Sequence, residues 1–129
     1  MAQIEATRSV TVISGTAISK YRFLIIAADG AVDHAGSAQG YVDGVSGMEI
    51  VTADIGDSLP MNLMDGAIMK VELGATVSAG DLMATDTVGR AIVWVDAAGN
   101  VCIGKILAAG VLGDVVSCQC IHKQTGGGS

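Results

Sequence analysis

The chain has 129 residues, enough for one domain or for two small similar lobes around a shared core, and enough to bury a core without disulfide or metal staples. Half of the residues are hydrophobic but only 3% are aromatic, so a platform for stacking bases or sugars is not expected. The formal charge is −6 and no basic block or stripe breaks it, which argues against direct DNA or RNA binding.

Residues 1–8 are polar and mixed and read as a flexible N-terminal arm. Residues 9–14 are β-prone, and residues 22–28 form a second apolar run. Asp29-Gly30 closes that run with a turn, because both residues tolerate positive φ, and residues 31–34 return as a short strand. Residues 36–47 are loop-rich, with a short extended piece at Tyr41-Val42. Further strands are predicted at 48–53, 58–64, 68–73, 81–85, 91–95, 101–107 and 114–122. No window sustains an i, i+3, i+4 apolar stripe over three turns without a glycine interrupting it, so no helix is expected. The pattern predicts an all-β fold: a compact barrel or sandwich of short antiparallel strands, one domain over residues 9–123, and a flexible Gly-rich tail at 124–129.

One hairpin can be specified further. Leu59, Met61 and Leu63 share a face of one strand, and Met69, Val71 and Leu73 share a face of the next. A two-residue turn at Asp65-Gly66 would oppose Met61 to Lys70. A three-residue loop, 65–67, opposes Leu63 to Met69, Met61 to Val71 and Leu59 to Leu73, which keeps the apolar side chains on one face.

The chain also resembles itself. Val77-Ser78 stands 59 residues after Ile18-Ser19, Leu82-Met83 stands 59 after Phe23-Leu24, and Gly89 stands 59 after Gly30. Gly56-Asp57 and Gly113-Asp114 each precede a final strand. The expected repeat halves are 16–64 and 75–121, two similar β units related by a pseudo-twofold axis.

The residues do not assemble a recognisable reaction centre, and no catalytic residue, cofactor or metal is expected. An odd set of three cysteines, Cys102, Cys118 and Cys120, lacks the spacing of a disulfide framework and reads as buried thiols. Cys118 and Cys120 share a strand face with His122, but a zinc site needs four converging ligands. The other histidine, His34, has no ligand-spaced neighbours. Asp29, Asp43, Asp57, Asp65, Asp81 and Asp114 lie beside glycine or in turns, where they cap backbone N–H groups. Met61, Met64 and Met69 are either core filler or an adaptable interface, and Trp94 is either a half-buried strand residue or an interface anchor. The longest apolar stretch, 23–28, is too short for a membrane span, and no basic-then-apolar leader is present, so synthesis in a host cytoplasm is expected.

Residues 74–83 (Gly74-Ala75-Thr76-Val77-Ser78-Ala79-Gly80-Asp81-Leu82-Met83), then Gly89-Arg90-Ala91, Ile103-Gly104-Lys105 and Gly113-Asp114, carry a motif that resembles the small capsid cement, or head decoration, proteins of tailed phages. The resemblance covers residues 71–121, and the first half fits more loosely. It implies a structural protein of the virion that docks on the outer capsid surface, binds the major capsid protein and locks neighbouring subunits, acting as a homo-oligomer, with a trimer preferred over a dimer. Charge and the short apolar runs, rather than the resemblance, are why no nucleic acid and no membrane partner are expected. Ser9, Val10, Thr11, Val12 and Ile13 are the candidate edge for strand addition to a partner, and Trp94 is a candidate anchor. Three rival readings are a biotinyl or lipoyl carrier, suggested by Gly74, Val77, Gly80-Asp81 and Met69-Lys70, a small β-clip binding or sugar-modifying domain, and a different virion component such as a tail or spike protein.

Overall fold

The computed structural model describes residues 9–46, 52–53 and 56–125, and every regular element among them is a β-strand. The first sheet holds β1 (Ser9–Ile13), β3 (Phe23–Ile26), β4 (Val32–His34), β5 (Gly44–Ser46) and β7 (Ser58–Leu63), in the order β1-β7-β5-β3-β4. The second holds β8 (Asp65–Glu72), β9 (Leu82–Thr85), β10 (Ala91–Val93), β11 (Val101–Ile106) and β12 (Val115–Thr125), in the order β10-β9-β11-β12-β8. A two-stranded ribbon pairs β2 (Ile18–Ser19) with β6 (Thr52–Ala53). Neighbouring strands run antiparallel throughout.

Each five-stranded sheet curls until its outer strands meet. Ser14, just past β1, makes a parallel bridge to Val32 of β4, and Leu73, just past β8, makes one to Ala91 of β10. The N–H of Gly15 donates to the Val32 carbonyl at 2.7 Å, and that of Gly74 donates to the Ala91 carbonyl at 2.8 Å. Each half is thus a small barrel closed at one end, which pairs many edge groups internally.

Read from β8, the second sheet repeats the first strand for strand. The registers repeat as well: Phe23 opposes Val45 as Leu82 opposes Lys105, and Val12 opposes Leu59 as Val71 opposes Val116. So do the turns, where Ala27 donates to Ala31 and Asp86 to Arg90, both at 2.8 Å. Backbone handedness follows the same spacing. Gly30 and Gly89 have φ of 86° and 82°. Among the described residues, the two non-glycine residues with positive φ, Tyr21 (61°) and Gln39 (60°), stand where the other half has Gly80 (92°) and Gly99 (83°). β1 and β8 open the two halves and belong to the repeat, although both begin before the spans expected from sequence.

The predicted hairpin is not formed. β7 pairs with β1 and β5, and β8 pairs with β12, so Leu59, Met61 and Leu63 do not oppose Leu73, Val71 and Met69. The alternation behind that expectation is real, since Leu59, Met61, Met69 and Val71 are all buried. Same-face alternation is met equally well when each strand faces its own barrel, and the joint at Met64 and Gly66 passes the chain from one barrel to the other. Two boundaries also move. The strand in the 36–47 loop is Gly44–Ser46, not Tyr41-Val42, and β12 runs two residues past 123. Residues 1–8, most of the predicted 48–53 strand and residues 126–129 lie outside the described residues.

The first barrel closes over Ile18, Leu24, Val32, Leu59 and Met61, with Val12 and Leu63 packed against them. The second has a larger core, including Val71, Met83, Ile106 and Cys118, and it takes in Phe23, Val42 and Val45 from the first half. One face of the first barrel therefore completes the core of the second. Met61, Met64 and Met69 are all buried, so of their two readings the structure takes core packing.

Candidate docking surfaces

Among the described residues β1 is an outer strand and pairs on one side only, with β7. Ser9, Val10, Thr11 and Ile13 are exposed, while Val12 is half-buried against the first core. Val12 packs the strand against the core, and Ser14 ties its end to β4. In an antiparallel ladder alternate residues turn their N–H and C=O groups away from the partner strand, so β1 offers a row of main-chain donors and acceptors. Its residues are β-branched or hydroxyl-bearing, and neither charge nor proline blunts the edge. Pro60, opposite Thr11, stands one residue beyond the last described pair of β7 with β5, where its missing N–H interrupts no described ladder bond.

Trp94 follows β10 on the second barrel, half-buried, and is not brought together with β1 in one sheet. Its N–H donates to the Leu82 carbonyl at 2.8 Å, and its indole Nε1 is buried without a partner. The residues either side of it belong to the seam between the barrels. The Gln39 side-chain amide donates to the Val93 carbonyl at 3.0 Å, and its oxygen accepts from the Val95 N–H at 2.9 Å.

That seam was not foreseen from sequence. The main chain of Gln39 also donates to Thr85 and accepts from Val101, both at 2.8 Å. Phe23 donates to the Gly89 carbonyl at 2.7 Å, and Glu72 donates to the Tyr21 carbonyl at 2.9 Å. Arg22 donates to the Val88 carbonyl at 3.0 Å and pairs with the Glu72 carboxylate at 3.3 Å. No feature of Gln39 or Arg22 as residue types marks them, since their roles depend on contacts between distant segments.

His34, at the end of β4, accepts a hydrogen bond at Nε2 from the Ser19 N–H at 3.1 Å. Burial and the nearby Arg22 charge hold its pKa below the usual 6.5, and Asp33 only partly opposes them. The unfolded chain therefore takes up a proton near its ordinary pKa while the folded chain resists. The stability this confers is present above about pH 6.5 and is lost as pH falls toward the folded-state pKa. Between about pH 7.5 and about pH 5, the Tm of the parent should fall further than that of His34→Gln. Parallel pH profiles for the two proteins would remove His34 from this account.

Cys102, Cys118 and Cys120 are buried free thiols, and burial pushes Cys118 up to about 12. Among the described residues no group of three or more His, Cys, Asp or Glu side chains is arranged to hold a metal ion. Lys70, the lysine of the carrier reading, lies within β8 opposite Ser117 and not at a turn.

No protein-family model matches the chain, and no curated protein matches it in sequence. Among solved structures it is similar to the N base of head fiber gp8.5 in bacteriophage phi29, with a TM-score of 0.71 and 22% sequence identity. The match covers 92% of this chain and 98% of that one. The likeness is one of fold and takes in nearly the whole of both chains: this protein has the fold of a phage head-fiber base.

Proposed function

We propose that the chain is a structural virion protein of a tailed phage that seats on the outer surface of the head, binds the major capsid protein and stabilises contacts between neighbouring capsid subunits. The observation that carries this reading is the fold shared, over nearly the full length, with the base of a phage head fiber. Two features of the chain fit it. Adhesion to a protein shell calls for a body that deforms little, and here two closed barrels share a core. It also calls for a surface that can grip another backbone, and the outer edge of β1 is uncharged and apolar enough to add to a partner sheet. Many weak contacts on a lattice then act together.

The test is co-sedimentation of the purified protein with undecorated heads. The parent should sediment with them. Thr11→Lys, which puts a charge on the open edge, and removal of residues 1–9 should each weaken binding by about 10-fold or more while the body stays folded. Undiminished binding by both variants would take β1 out of the interface, and absence of binding by the parent would end the reading.

A further inference from the structure

The seam that joins the two barrels is heterologous, because it uses one patch on the first barrel and a different patch on the second. The donor patch is built around Tyr21-Arg22-Phe23, Gln39 and Val45. The receiving patch is built around Glu72, Thr85, Val88-Gly89 and Val101. The barrels are repeats of each other, so each also carries the counterpart of the patch that its neighbour uses.

Those counterparts are open, and each carries an exposed apolar side chain at its centre. Leu82 takes the place of Phe23 and is 42% exposed where Phe23 is 0%. Ile26 takes the place of Thr85 and is 47% exposed where Thr85 is 0%. Tyr41 takes the place of Val101 and is 46% exposed where Val101 is 7%. Ile13 stands where Glu72 does and is also exposed, and Gly30 is exposed where Gly89 is buried. Four exposed apolar side chains, Leu82, Ile13, Ile26 and Tyr41, thus fall on the counterparts of two surfaces that fit one another within the chain, while others such as Ile68, Val111 and Leu112 lie elsewhere. Charge at the contact is mixed. Asp81 and Asp29 replace Arg22 and Val88 and bring two like charges, each carboxylate accepting from its own turn, from Ser78 N–H at 2.8 Å and Ala31 N–H at 3.0 Å. Lys105, exposed at the place of Val45, brings the opposite charge.

We infer that a second copy of this chain docks head to tail, the open donor patch of its second barrel (Leu82, Lys105) seating on the open receiving patch of the first barrel (Ile13, Ile26, Tyr41) and extending the internal seam from chain to chain. A heterologous contact of this kind closes into a ring when its rotation allows and otherwise grows into a filament. The inference deepens the expectation of self-association, and it does not depend on attachment to a head.

The test is light scattering of the full chain after size exclusion, with two single variants. The parent should have the mass of a small whole number of chains. Leu82→Asp removes the donor patch and Ile26→Asp the receiving patch, and each should give monomers with unchanged circular dichroism, since both positions are exposed. Mixing the two variants should restore one contact and give a one-to-one heterodimer, because each still carries the patch that the other lacks. Lys105→Glu and Tyr41→Asp serve as the second pair if either first variant fails to fold. A monomeric parent, variants that keep the parent's mass, or a mixture that stays monomeric would each overturn the inference.

Discussion

Replacing Gly104 by alanine is expected to destabilise the protein by about 3–5 kcal/mol, a large part of the stability of a domain of this size. Gly104 sits in β11 at a bulge where the register to β12 shifts, with φ of 148°. An added Cβ would run into the Gln119 carbonyl oxygen and press on the Met83 methyl at 3.0 Å. The carbonyl belongs to the paired strand and cannot give without breaking the ladder, and the backbone conformation is itself unfavourable for an L side chain. The repeat supplies an internal comparison. Gly44 holds the same place in the first barrel, and its Cβ would meet the Asn62 carbonyl at 2.6 Å and the Met61 side chain. It has no positive φ to add, and the Met61 side chain can swing aside, so Gly44→Ala should cost less. Urea unfolding of the two variants checks the ranking, and a Gly104→Ala protein as stable as the parent would contradict the bulge geometry.

Phe23→Ala should cost about 3–5 kcal/mol, while Leu82→Ala, the same position one repeat later, should cost under about 1 kcal/mol. The chemistry of the two truncations is similar, and burial separates them. Phe23 lies in the core shared by the barrels and donates its N–H to Gly89 across the seam, whereas Leu82 faces outward at the corresponding place. Removing the Phe23 ring opens a void where neither barrel can collapse into it, because backbone hydrogen bonds hold both sides. Thermal denaturation of the pair reads this directly. Equal losses would mean that the seam is not a packed interface.

Much of the architecture was legible in the sequence because it rests on local rules. Alternating aliphatic residues and turn glycines give an all-β chain, and Gly30 and Gly89 mark equivalent turns at a constant spacing. The repeat was harder to see where a different residue took over a glycine's conformation. Tyr21 and Gln39 take the positive φ that Gly80 and Gly99 take at the equivalent turns of the other half, and nothing in tyrosine or glutamine signals it. Sequence alone joins the 58–64 and 68–73 strands into a hairpin because a short glycine-bearing connection between two alternating strands is usually one. Here the closing partner of each strand lies elsewhere in the chain, and only the closed barrels decide between the two arrangements. The candidate edge at Ser9–Ile13 was readable from composition, and it is an outer strand of its sheet. The seam was not readable, because it depends on which faces of two similar barrels meet.

The central claim, that this two-barrel body serves as an adhesive element of a phage head, is tested most directly by cryo-electron microscopy of undecorated heads mixed with the purified protein. The account predicts ordered extra density at fixed lattice positions on the outer surface, fitted by the two barrels with β1 beside a capsid strand. Bare heads at saturating protein, or bound density with β1 turned to solvent, would contradict it.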